Sequence, residues 1–95
     1  MNKAVNFDIM RDAEKDAIVV TQKNIFADNT ETFETLRLLF AGIEDIKGVN
    51  SNLIINLKFE LTANQKREIF FANFSMYNSI TINGEALVRS SLGLV

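Results

Sequence analysis

Three acidic side chains alternate in Asp12-Ala13-Glu14-Lys15-Asp16, the spacing at which oxygens at positions one, three and five of a calcium loop hold the ion. The match ends there. Such a loop needs glycine at its sixth position and a bidentate glutamate at its twelfth, where this chain has Ala17 and Lys23. With Arg11 and Lys15 interleaved, the segment reads as a solvated mixed-charge loop. Glu60, Glu68 and Glu85 could supply the paired carboxylates of glycoside chemistry, but nothing in their spacing selects a pair. The chain has no histidine and no cysteine, so the usual general base, the commonest metal ligand, the thiolate nucleophile and any disulfide are absent. The four glycines stand apart at positions 42, 48, 84 and 93, which leaves no phosphate-cradling loop. No catalytic residue, cofactor or metal site is expected.

A second chemistry is binding. Lys58, Lys66 and Arg67 lie near Phe70, Phe71, Phe74 and Tyr77 in the sequence, and bases beside aromatic platforms can hold single-stranded nucleic acid. Glu60 and Glu68 lie among those bases and cancel much of their field. The net charge of −2 divides into −3 over residues 1–50 and +1 over residues 51–95, neither of which is a nucleic-acid footprint. Nucleic acid is therefore a minor alternative, and the phenylalanines are expected in a core or an interface.

The elements that must position these residues follow from periodicity. Phe33, Leu36, Leu39, Phe40, Ile43 and Ile46 recur at helical spacing and span an arc of roughly 140°, the apolar stripe of an amphipathic helix over about 29–47. Asp28 with Glu31 suits its start and Gly48 its exit. Leu38 and Gly42, four residues apart beside Thr35, fall off that stripe and mark a possible second contact face. Leu53, Ile55, Leu57, Phe59 and Leu61 alternate with Ile54, Asn56, Lys58 and Glu60, the period of a half-buried strand. The run from Arg67 to Tyr77 fits either period. Thr62 with Gln65 resembles a helix capping box, yet Lys66 and Arg67 would oppose the helix dipole, and aromatic density favours a pleated surface. The chosen reading is a hairpin over about 53–77 with a polar loop at 62–66. Asn83-Gly84 marks a second hairpin over about 79–89. At the amino-terminal end, Val5, Phe7 and Ile9 alternate and Ala17 to Thr21 is rich in β-branched residues. This gives a hairpin around Arg11 to Asp16, with one helix over 6–23 as the rival; a helix would stack Asp8, Asp12 and Asp16.

The expected fold is a single α+β domain, one helix on an antiparallel sheet. With 47 % hydrophobic residues, the chain can form one core. No run of roughly 20 apolar residues spans a bilayer, and a cytoplasmic location is the default. One helix covers one sheet face, so the second face and the apolar Leu92, Leu94 and Val95 call for a further layer. The expected function is a small non-enzymatic interaction module, an inhibitor or adaptor acting as a homo-oligomer, most simply a dimer. Its contact residues would be Leu38, Gly42, Phe71, Tyr77, Leu92, Leu94 and Val95, with Lys58, Lys66 and Arg67 as a polar patch. The alternative is a structural subunit of a repeating assembly, a virion or secretion component. The Asn-, Ile- and Phe-rich composition resembles that of a short reading frame from an AT-rich genome, such as a bacterial virus or mobile element.

Overall fold

The computed structural model describes residues 7–23, 29–43, 51–73 and 75–93, with the backbone alone for 39–43. The order is β1 (Phe7–Asp12), β2 (Ala17–Gln22), α1 (Asn29–Ile43), β3 (Asn52–Asn56), α2 (Ala63–Asn73), β4 (Ile80–Ile82) and β5 (Glu85–Ala86), closed by a 3-10 turn at Ser90–Leu92. The strands form one sheet in the order β1-β2-β3-β4-β5. The expected α+β class is observed. The fully antiparallel sheet is not: β2 and β4 both run parallel to β3, and the outer pairs β1·β2 and β4·β5 are antiparallel.

The parallel pairing of β3 with β4 follows from α2, as that of β2 with β3 follows from α1. The expected hairpin over 53–77 is instead a strand, a connection and a helix, because Thr62 and Gln65 do form the capping box. The Thr62 backbone N–H donates to Gln65 Oε1 at 2.9 Å, and the Gln65 N–H donates to Thr62 Oγ1 at 3.1 Å. The two bases that argued against a helix are engaged elsewhere. Lys66 Nζ lies 3.7 Å from Glu85 Oε1 on β5. Arg67 donates from Nε to the Leu92 carbonyl at 3.1 Å and from Nη1 to Asn64 Oδ1 at 2.9 Å. Ile69, Phe70 and Asn73 are buried at helical spacing, whereas Phe71 and Ala72 are exposed. Removing half the box, as in Gln65→Ala, is expected to cost about 1 kcal/mol, read as a lower urea midpoint at an unchanged m-value.

β3 is shorter than the alternation suggested because polar side chains draw the chain out of the ladder after Asn56. The Lys58 N–H donates to Oε1 of the buried Gln22 at 2.8 Å, and the Leu57 N–H donates to Asn83 Oδ1 at 2.7 Å. Asn83 Nδ2 also donates to the Phe59 carbonyl at 3.2 Å. Asn83 and Gly84 sit at φ 52° and 82°, the positive φ at both central residues that a two-residue hairpin turn needs.

The amino-terminal hairpin is present, with its polar turn at 13–16. Asp12 Oδ1 accepts the Glu14 N–H at 3.0 Å and the Lys15 N–H at 3.3 Å, and Arg11 pairs with Asp16 at 2.7 Å. Two of the three alternating carboxylates thus build the turn.

Register sorts the sheet into two faces. Ile18, Val20, Leu53, Ile55, Ile80 and Ile82 are at most 3 % exposed and lie on one face, in the row pairs Ile18–Leu53–Ile80 and Val20–Ile55–Ile82. Both helices cover this face, since the strands advance in one direction and both parallel connections share one hand. From α1, Phe33 and Leu36 enter the same core, as do Ile69, Phe70, Tyr77 and Leu92 from the second half. Thr35, grouped with Leu38 by spacing, is buried, and its Oγ1 donates to the Glu31 carbonyl at 3.0 Å. The expected cap at Asp28, the exit at Gly48 and the helix beyond Ile43 lie outside the described residues.

Candidate interaction surface

α1 and α2 leave an open groove of about 830 Å³ between them. Glu34, Arg37 and Leu38 line one side, three- and four-residue neighbours on α1; Asn64, Arg67, Glu68, Phe71 and Ala72 line the other, the same spacing on α2. Two apolar side chains stand in it. Leu38 is 78 % exposed and Phe71 51 %, and the Phe71 ring is fixed edge-on against the buried Phe70, with centroids 5.7 Å apart and planes at 78°. Leu38 therefore has its packing surface open, and Phe71 is half exposed beside the buried Phe70.

Of the four charged side chains around these residues, Arg37 and Glu34 pair with each other. Arg37 Nη1 donates to both Glu34 carboxylate oxygens, at 3.0 and 3.2 Å. Arg67 is tied to Asn64 and to the Leu92 carbonyl. Glu68 is exposed and has no hydrogen-bond or ion-pair partner for its carboxylate among the described residues. The groove is thus an apolar pair within a rim of two acidic and two basic side chains, Glu34 and Glu68 with Arg37 and Arg67.

Of the residues singled out in the sequence, the structure brings Leu38 and Phe71 into this groove, with Arg67 on its rim. Gly42 belongs to the last turn of α1. Tyr77 and Leu92 are 7 % and 5 % exposed and belong to the protein's own core; the apolar tail found its layer within the chain, at least as far as Leu92. Leu94 and Val95 lie outside the described residues. Lys58, Lys66 and Arg67 do not form a common free patch: Lys58 is exposed in the connection after β3, whereas Lys66 and Arg67 are half-buried and bonded to Glu85 and Leu92. Sequence reasoning missed Glu34, Arg37, Asn64 and Glu68. Their spacing to Leu38 and Phe71 would have marked them once residues 63–73 were read as a helix.

Among the described residues, no group of three or more acidic side chains converges on a point that could hold a metal ion, and no helix is long and apolar enough to cross a membrane. Fold and groove together define a two-layer α+β domain with an open groove on its helical layer. Comparison with protein-family models, curated proteins and solved structures finds no match.

Proposed function

We propose that the protein is a non-enzymatic interaction module, an inhibitor or adaptor, which presents the groove between α1 and α2 to a helical segment of a larger protein. The observation that carries this reading is the pair of exposed apolar side chains, Leu38 and Phe71, in one groove. Contiguous exposed apolar surface inside a polar rim is the usual mark of a protein contact. Two helical walls accept a third helix by ridge-and-groove packing. Single-strand nucleic-acid binding draws little support, because Lys66 and Arg67 already have partners within the chain.

Affinity capture from the cell of origin, with the wild-type chain and the Leu38→Asp/Phe71→Asp variant as parallel baits, tests this. Both side chains are exposed, so the variant is expected to fold normally. Each substitution at the centre of a contact should weaken binding about tenfold or more, so a partner present with the wild type is expected to be missing with the variant. Identical captured sets would overturn the reading.

A further inference from the structure

The face of the sheet opposite the helices carries a row of its own. Register aligns Met10 with Val19, Val19 with Ile54, Ile54 with Thr81 and Thr81 with Ala86, so one line of mostly apolar residues crosses all the strands. Met10 is 58 % exposed, Val19, Ile54 and Thr81 are half-buried, and Ala86 is exposed. Polar residues border it: Asp8, Thr21 and Asn56 on one side, Asp12 and Asn52 on the other.

We infer that this row is the contact of a symmetric dimer, packed sheet against sheet, with the two-fold axis running along the strands through Ile54. The row is complementary to itself only in that orientation. Rotation about the strand direction lays β1 over the partner's β5, so the largest side chain, Met10, meets the smallest, Ala86. Val19 meets the similarly shaped Thr81, and Ile54 meets its own copy on the axis. The alternative two-fold, across the strands, would lay Met10 on Met10 and Ala86 on Ala86, leaving one end overfilled and the other empty. It would also set Asp8 against Asp12 of the partner, like charges across a contact. In the favoured orientation those carboxylates lie over β5, whose residue on this face is Ala86 and whose Glu85 points to the helical side, toward Lys66.

The area sets the strength. At strand spacings of about 4.8 Å, with three residues each from β1, β2 and β3 on this face but only Thr81 from β4 and Ala86 from β5, the face offers roughly 300 Å² per copy. This is well under half of a standard interface, so the dimer is weak and transient and dissociates on dilution. The groove lies on the other side of the molecule, and the inference stands whether or not the groove binds a partner.

The chain lacks cysteine, which makes the orientation directly testable. Met10→Cys and Ala86→Cys chains, distinguishable by mass, are mixed with a bis-maleimide able to span the roughly 10 Å between packed sheets. Within one copy these positions are about four strand spacings, or about 19 Å, apart, so any 10-to-86 link is intermolecular. The expected product is the mixed dimer, in large excess over either homodimer, and Ile54→Cys alone is expected to link to itself. In sedimentation equilibrium of cysteine-free chains, Met10→Asp should lower the association constant at least tenfold, whereas Leu38→Asp should leave it unchanged. A Met10→Cys homodimer as abundant as the mixed product would overturn the orientation. A wild-type chain that stays monomeric at on the order of 0.5 mM, where a transient interface is populated, would overturn the dimer.

Discussion

Leu53→Ala is expected to lower the unfolding free energy by about 3 kcal/mol, the range for a fully buried leucine whose surroundings cannot collapse into the space left behind. Leu53 is 0 % exposed and sits on the central strand, between Ile18 on β2 and Ile80 on β4, beneath both helices. Each neighbour is itself held in the ladder, so little can move to fill the void. A domain of this size has a total stability of roughly 5–14 kcal/mol, so one substitution removes a large share. Urea unfolding followed by far-UV circular dichroism measures it. Leu53→Met, which conserves volume, should cost less than about 1.5 kcal/mol. A loss below about 1 kcal/mol for the alanine variant would place Leu53 outside the core.

The second large effect is expected at Asn83, a surface residue that ties the turn between β4 and β5 to the chain after β3. Its backbone lies at φ 52°, a region that costs an ordinary L-residue about 1–2 kcal/mol and asparagine less. Its side chain accepts the Leu57 N–H and donates to the Phe59 carbonyl, each bond contributing about 1 kcal/mol. Asn83→Ala loses both contributions and should cost about 2–3 kcal/mol. Asn83→Gly keeps the backbone freely accessible and loses only the side-chain bonds, so it should cost less, about 1–2 kcal/mol. The gap between the two variants, measured in the same denaturation experiment, isolates the backbone contribution. Equal losses would show that the turn conformation is not what Asn83 supplies.

The parts of this fold that were legible beforehand are those governed by local rules. The β-branched run at 17–21, the Asn83-Gly84 turn and the apolar stripe of α1 each place an element from a few neighbouring residues. The α2 segment was misread because its local signals conflict. The capping box points to a helix, while Lys66 and Arg67 at its start and the phenylalanine density point away. The conflict is resolved by Glu85 and the Leu92 carbonyl, distant in sequence and brought alongside only by the completed sheet. Once α2 is a helix, the connection from β3 to β4 becomes a crossover, and β4 runs parallel to β3. The candidate groove was half legible for the same reason. Leu38 stood out as an apolar residue off its stripe, but its nearness to Phe71 depends on the second helix. Tyr77 reads as an interface residue on the second face of a strand and Leu92 as part of an apolar tail in need of cover, whereas the structure buries both in the protein's own core.

Strand order has one more consequence, for how the molecule comes into being. Every strand of the β1-β2-β3-β4-β5 sheet neighbours the strands before and after it along the chain, so no strand waits for a later one to be inserted between it and its neighbour. Contacts of short sequence separation close early and cheaply in entropy, which speeds folding relative to sheets with interleaved strands. As the chain leaves the ribosome, the hairpin of β1 and β2 comes first, and β3 and β4 then add in turn to a single growing edge. The last piece, β5, is only Glu85–Ala86, and so short a strand offers little template for another chain to continue the sheet.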